Sequence, residues 1–232
     1  MQPIAIATGS GIRLESILDS VDKEVPFHDI PGLADPEIHG HRHLFIHGKC
    51  GDVPVILQCG RLHFYQGLDY AAVTRPVDAL RDAGAAMVVF VNAAGALDPS
   101  MSCGDLLAVD RVRLCRYFGW NSTPGVAFTD FLVSGCDWTG TLQWVNGPSY
   151  ETRAEIAALQ NLKSTAVGMS TAPELVRCQE LGMRGAVVSC IANCCYKPQI
   201  LTHQEVIAVA GRASSKIASL LRQTLPKIAT QS

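Results

Sequence analysis

The sequence predicts an α/β fold: a single-domain three-layer sandwich over residues 1–232, with a mixed central sheet flanked by helices. Short apolar runs recur along the chain, and several are apolar on both faces, as strands are when helices cover either side of a sheet. Between them lie segments with the apolar spacing of amphipathic helices. The strand-like runs are Ile4 to Ala7, Val53 to Gln58, Ala86 to Val91, Leu106 to Val112, Leu142 to Val145 and Ala186 to Ile191. The helical segments are Tyr70 to Ala83, Arg153 to Leu162, Pro173 to Leu181 and His203 to Leu225. In the last, Val206, Ile207, Ala210, Ile217, Leu220 and Leu221 fall on one stripe. Thr152 with Glu155, Thr171 with Glu174 and Thr202 with Glu205 each have the spacing of a capping box, which satisfies free N–H groups at a helix start. Each box adjoins polar residues, Tyr150 and Glu151, Ser170, and His203, so recognition groups gather at strand-to-helix loops, where open α/β sheets place their sites.

Composition narrows the partners. A chain of 232 residues is long enough for one full core, and 48% hydrophobic against 17% charged residues suits closely packed layers. A net charge of −2 offers no field along which a polyanion is held, so nucleic acid is not an expected partner. A small anion needs only a few Arg, His and backbone N–H groups. The 9 cysteines are odd in number, irregularly spaced and without a CxxC, and the chain runs from Met1 straight into an apolar stretch. Those features predict reduced thiols and a cytoplasmic protein. No apolar run approaches the roughly 20 residues of a membrane span, so no membrane partner is expected.

Several short stretches offer chemistry, each with a plainer alternative. Gly9-Ser10-Gly11 after the first strand lets a backbone approach an anion, or makes a tight turn. It lacks the third glycine of a dinucleotide fingerprint and the lysine of a P-loop. In Gly60-Arg61-Leu62-His63-Phe64-Tyr65-Gln66-Gly67, Arg61 and His63 share a face of extended chain and are placed to grip a phosphate, or merely end an exposed strand. Asn92-Ala93-Ala94-Gly95 either packs closely or shows backbone N–H groups to a ligand. Tyr150 and Glu151 give a ring for stacking beside a carboxylate that accepts a heterocycle N–H, or only a dipole-favoured helix entry. Met169 is core or a soft floor under a sugar, and Asn193 ties down a loop or reads a base with its donor and acceptor.

In order, these stretches resemble the low-molecular-mass, usually trimeric purine nucleoside phosphorylases of the nucleoside phosphorylase superfamily. The matches are GSG at Gly9 to Gly11, GRLHFYQG at Gly60 to Gly67, NAAG at Asn92 to Gly95, and GD at Gly104 and Asp105. GPSYET at Gly147 to Thr152, VGMST at Val167 to Thr171, SCIAN at Ser189 to Asn193 and His203 in THQEV complete the set. The resemblance implies a phosphate site of Ser10, Arg61, His63, Ser170, the Ala93 N–H and His41. It implies nucleoside contacts from Tyr65, Tyr150, Glu151, Met169, Asn193 and His203, with Asn193, Glu151 and His63 closest to the chemistry. It further implies a homotrimer acting on a purine nucleoside, with inorganic phosphate as co-substrate and neither metal nor organic cofactor.

The chain departs from the family pattern in three places. It is shorter between Asp110 and Gly147, where the family carries a helical segment and an aromatic residue that closes a neighbouring subunit's site; Phe128 or Phe131 would stand in. Gln66 replaces the usual Glu beside the phosphate histidine, and Cys194 replaces the Lys after Asn193. Methylthioadenosine phosphorylases are the rival within the superfamily, with Asp where Asn193 stands. Outside that class, a nucleoside-binding relative without turnover is one alternative. Another is a metal-dependent hydrolase, because His39, His41 and His43 alternate and would share one face of a strand.

Overall fold

A computed structural model describes residues 1–9, 11–36, 42–115, 125–197 and 202–230; Ser10 and His41 lie outside them, as does the side chain of His203. The strands are β1 (Ile4–Thr8), β2 (Ser20–Pro26), β3 (Leu44–Cys50), β4 (Val53–Cys59), β5 (Met87–Ala96), β6 (Leu106–Leu114), β7 (Gly125–Phe128), β8 (Trp138–Trp144), β9 (Ala166–Gly168) and β10 (Arg184–Cys194). The helices are α1 (Tyr70–Asp82), α2 (Arg153–Asn161), α3 (Ala172–Glu180) and α4 (His203–Ala229).

Side-chain alternation divides the interior into two clusters. On one side of β1 and β5, Ala5, Ala7, Val88 and Phe90 pack toward Val73, Val77 and Leu80 of α1 and Leu175 and Cys178 of α3. On the other, Ile4, Ile6, Met87, Val89 and Val91 meet Ala210, Ile217, Leu221 and Leu225 of α4. Strands sandwiched in this way have no polar face, which explains their unbroken apolar sequence. Helix α4 runs four residues beyond the predicted end at Leu225, to Ala229, with Pro226 inside its last turn. No residue of α2 is buried.

The central sheet corrects the expected three-layer sandwich. Strand order is β10-β6-β8-β9-β5-β1-β4-β3-β2, and β10 also pairs with β5. That additional ladder joins β10, at one end of the row, to β5 inside it, so β5, β10, β6, β8 and β9 close into a 5-stranded barrel, with β1, β4, β3 and β2 extending from β5 and β7 attached to β6. Strand β5 serves two structures along its length. Its first half, Met87–Val91, runs parallel to β1, whereas Gly95 and Ala96 pair antiparallel with β9. The small residues Ala93 to Ala96 let the strand curl from the sheet into the barrel. Strand β10 follows it in parallel from Arg184 to Cys194 and pairs antiparallel with β6 on its other edge. Among the described residues no helix is long and apolar enough to cross a membrane.

Candidate functional site

The loops at the ends of β1, β4, β5, β8, β9 and β10 converge with the start of α4 on a cavity of about 350 Å³. Arg61, His63, Tyr65, Ala93, Tyr150, Glu151, Met169, Ser170 and Asn193 all line it. The structure therefore brings together every sequence-predicted site residue that it describes. For His203 only the backbone is described; it opens α4, whose Val206 lines the cavity.

On the cavity wall stands Arg61, fully buried at 0% exposure rather than at a surface strand end. Its Nε donates to Glu174 Oε1 at 3.0 Å, and one terminal nitrogen donates to Ser170 Oγ at 3.0 Å and Thr171 Oγ1 at 3.1 Å. The other terminal nitrogen reaches the Ala7 carbonyl at 3.3 Å. Glu174, 1% exposed, accepts through its second oxygen from the Thr171 N–H at 2.9 Å. Burial pushes the Glu174 carboxyl up, while the Arg61 charge and the donated hydrogen bonds pull it back. Ser170, whose oxygen accepts from Arg61, keeps its own hydrogen for an acceptor in the cavity. Thr171 holds this corner with φ at 79°, a left-handed conformation that a β-branched residue rarely adopts. Gly9 lies against the Arg61 head: an added Cβ there would make an ordinary contact with the guanidinium at 3.4 Å.

Part of the lining is apolar and aromatic. The Tyr65 ring stacks on His63 with centroids 4.6 Å apart and an interplanar angle of 19°. Met169 and Tyr65 pack where a side chain at Gly147 would otherwise project, and Gly147 has φ at 73°. Burial raises the Tyr65 hydroxyl above its ordinary range, and burial also raises that of Tyr150, with Glu151 and Glu205 adding to the effect.

Asn193 also lines the cavity, 8% exposed, and follows directly on a bulge in β10. Ile191 pairs with Ala94 but Asn193 with Gly95, so Ala192 is an extra residue that bends the strand. Asn193 Nδ2 approaches Cys195 Sγ at 3.4 Å. A Cβ at Gly95 would collide with that sulfur and press on the Asn193 amide, so a larger residue opposite the bulge would have to push both side chains aside. Burial, with a smaller push from Glu151, raises the Cys195 thiol to about 12, which keeps it protonated. Glu151 is itself pushed above the usual carboxylate range, mainly by burial.

Three contributors were not singled out from the sequence. Glu174 was read only as a capping residue, and its partner Arg61 is 113 positions away. Cys195 carried no signal beyond its type. Asn92, named only within its glycine-ended stretch, accepts from Ser189 Oγ at 2.9 Å and ties β5 to β10 beside the cavity.

The alternating histidines do not assemble as a metal site in the part described. His43 Nδ1 lies 2.9 Å from Asp35 Oδ1 and its ring stacks on Phe27, while His39 and His41 are outside the described residues. Among the described residues no three His, Cys, Asp or Glu side chains are grouped to hold a metal ion.

The α/β fold with its closed barrel carries one cavity whose wall combines a buried arginine with Glu151 and Asn193, a lining suited to a small polar ligand. The family model described as the Phosphorylase superfamily matches residues 3–131 and 138–226, and the chain belongs to that family. It is 30% identical to purine nucleoside phosphorylase 1 of Bacillus subtilis over 94% of this chain and 90% of that one. The purine nucleoside phosphorylase of Mycobacterium leprae is 32% identical, over 97% of this chain and 89% of the relative. In fold, the chain resembles Schistosoma mansoni purine nucleoside phosphorylase in complex with inosine, with a TM-score of 0.82, 23% identity, and coverage of 96% of this chain and 89% of that one.

Proposed function

We propose that this chain is a purine nucleoside phosphorylase, converting 6-oxopurine nucleosides and phosphate reversibly to free base and ribose 1-phosphate, as a cytoplasmic homotrimer. One observation carries this: Arg61 and Ser170 face the same cavity as Glu151 and Asn193, with Tyr65 and Met169 also on its wall. The relatives that bear this activity in their names, matched over nearly their whole length, support it.

Breaking the N-glycosidic bond gives the ribose oxocarbenium character and puts negative charge on the departing purine. Asn193 donates to N7 as that charge grows, so its bond strengthens in the transition state more than in the ground state. Glu151 accepts the ring N–H and holds the base in register. Phosphate is bound by Ser170, His63, Arg61, the Ala93 N–H, Ser10 and His41. It offsets the positive charge on the sugar and lies ready to attack the anomeric carbon. Tyr65 and Met169 contact the ribose, Tyr150 lies against the nucleoside, and His203 meets the 5′-hydroxyl. These residues do the work without a metal or organic cofactor.

The decisive measurement is hypoxanthine release from inosine in phosphate buffer against the same buffer without phosphate. Release only with phosphate is expected; inosine binding without release would make the chain a nucleoside-binding relative instead. Base preference is tested by Asn193→Asp. An aspartate accepts from a 6-amino group where the amide donates to a 6-oxo group, so the variant's rate on adenosine relative to inosine should rise about tenfold or more. Unchanged relative rates would refute the assignment of Asn193. For the assembly, Phe128 is 61% exposed and Leu132 50%, an apolar surface that a second copy would cover. Sedimentation equilibrium should return three times the 24.9 kDa chain mass.

A further inference from the structure

The bulge that aims Asn193 is braced from outside the cavity. The connection between β5 and β6 lies along it: the Gly104 N–H donates to the Ile191 carbonyl at 2.8 Å and the Ile191 N–H to the Asp105 carbonyl at 2.9 Å. Tyr196 donates its hydroxyl to the Met101 carbonyl of the same connection at 2.7 Å. Two thiols meet at this seam. Cys194 is buried and follows Asn193 directly; its sulfur lies 3.8 Å from that of Cys103, an exposed residue of the connection. Cys103 Sγ also lies 3.6 Å from the carbonyl of Ala192, the extra residue of the bulge.

We propose that Cys103 and Cys194 form a redox-modification site whose substrate is a low-molecular-mass disulfide, and that oxidising the pair displaces Asn193 and lowers activity. The Cys103 thiolate attacks one sulfur of the small disulfide, forming a mixed disulfide and releasing one small thiolate. The Cys194 thiolate then attacks Cys103 Sγ, the intrachain S–S bond forms, and the second small thiolate leaves. The two thiol protons end on the two released small thiols. The protein pair is oxidised and the small disulfide reduced. Closing the bond draws the sulfurs from 3.8 Å to roughly 2 Å, and that movement falls on the residue next to Asn193. Burial and the neighbouring Cys194 raise the Cys103 thiol, while Lys197 and Arg212 pull it down, so the exchange runs faster in mild base. The effect on activity rests on the phosphorylase assignment; formation of the disulfide does not.

The test treats the reduced full chain with excess oxidised glutathione at pH 8.5, alkylates the remaining thiols and maps the peptides by mass spectrometry. A Cys103–Cys194 linked peptide is expected, with a fall in kcat/KM for inosine of about tenfold or more that dithiothreitol reverses. Cys103→Ser should keep the reduced activity, form no linked peptide and resist the loss, whereas Cys195→Ser should still form the link. Glutathione adducts without the linked peptide would overturn the pair as a site. A linked peptide with unchanged kcat/KM, or an equal loss in Cys103→Ser, would overturn its control of Asn193. If the reduced chain fails on inosine, the function assignment fails and peptide mapping alone decides the site.

Discussion

At Glu151 the base contact proposed for the carboxylate is set against the stability of the fold. Burial pushes its carboxyl above the ordinary value of 4.5, so the folded chain holds this proton more tightly than the unfolded chain. The group therefore favours the fold below its unfolded value, and that contribution is lost as pH rises through the raised folded value. Glu151→Gln removes the ionisable group while keeping the shape. Thermal melts should show the variant more stable than the parent at pH 7–8, with the difference vanishing near pH 4. Its KM for inosine should rise about 10- to 100-fold, because a charged hydrogen bond to the base is lost. In the parent chain, KM should climb as pH falls through the raised value, since a protonated carboxyl no longer accepts the ring N–H with both oxygens. The identity of Glu151 and its place before a capped helix were legible in the sequence. Its burial was not, because the cavity it lines is built with residues far from it in the chain, Arg61 and Asn92 among them.

At the scale of the element, the start of α3 is a corner in which the helix cap shares atoms with the partners of Arg61, the residue proposed to bind phosphate. Glu174 receives the Thr171 N–H through one oxygen and the Arg61 guanidinium through the other, and Thr171 accepts the φ of 79° that this geometry requires. Arg61→Ala leaves a carboxylate buried and unpaired, which should destabilise the fold by about 3–5 kcal/mol in urea titrations. Arg61→Met combined with Glu174→Met removes both charges and should recover much of that loss, yet phosphate binding measured by calorimetry should stay weak. Recovery of both would show that Arg61 serves the fold alone. The capping spacing at Thr152, Thr171 and Thr202 was readable, and all three helices start there. The second task of Glu174 was hidden, because a local motif accounts for the residue fully and nothing nearby points to a partner so distant in the chain. Strand β9 was hidden for another reason: at three residues it is too short to carry a period.

For the whole molecule, barrel closure is the feature that positions the site, since it draws β9 and β10 together around the small-residue end of β5. The seam between β8 and β9 depends on Gly140, whose missing side chain makes room for Thr165; the Thr165 hydroxyl accepts from the Thr141 N–H at 3.1 Å. Gly140→Ala drives a methyl into that threonine and should cost about 1–3 kcal/mol. The melting temperature should fall by roughly 2–4 °C for each kcal/mol, a shift that calorimetry resolves. An unchanged melting temperature would mean that the seam yields freely.

By itself the sequence determined the runs that became β1, β4, β5, β6, β8 and β10, the capped helices, and the order in which the polar stretches follow them. Each of those follows from residues within about a dozen positions of one another. Only the tertiary structure decided that the sheet closes into a barrel, that one extra residue at Ala192 shifts the register before Asn193 on the cavity wall, and that Arg61 meets Glu174. Strand partners and ion pairs between distant residues arise from how β5 and β10 curl in space, and no local periodicity records a pairing of that kind.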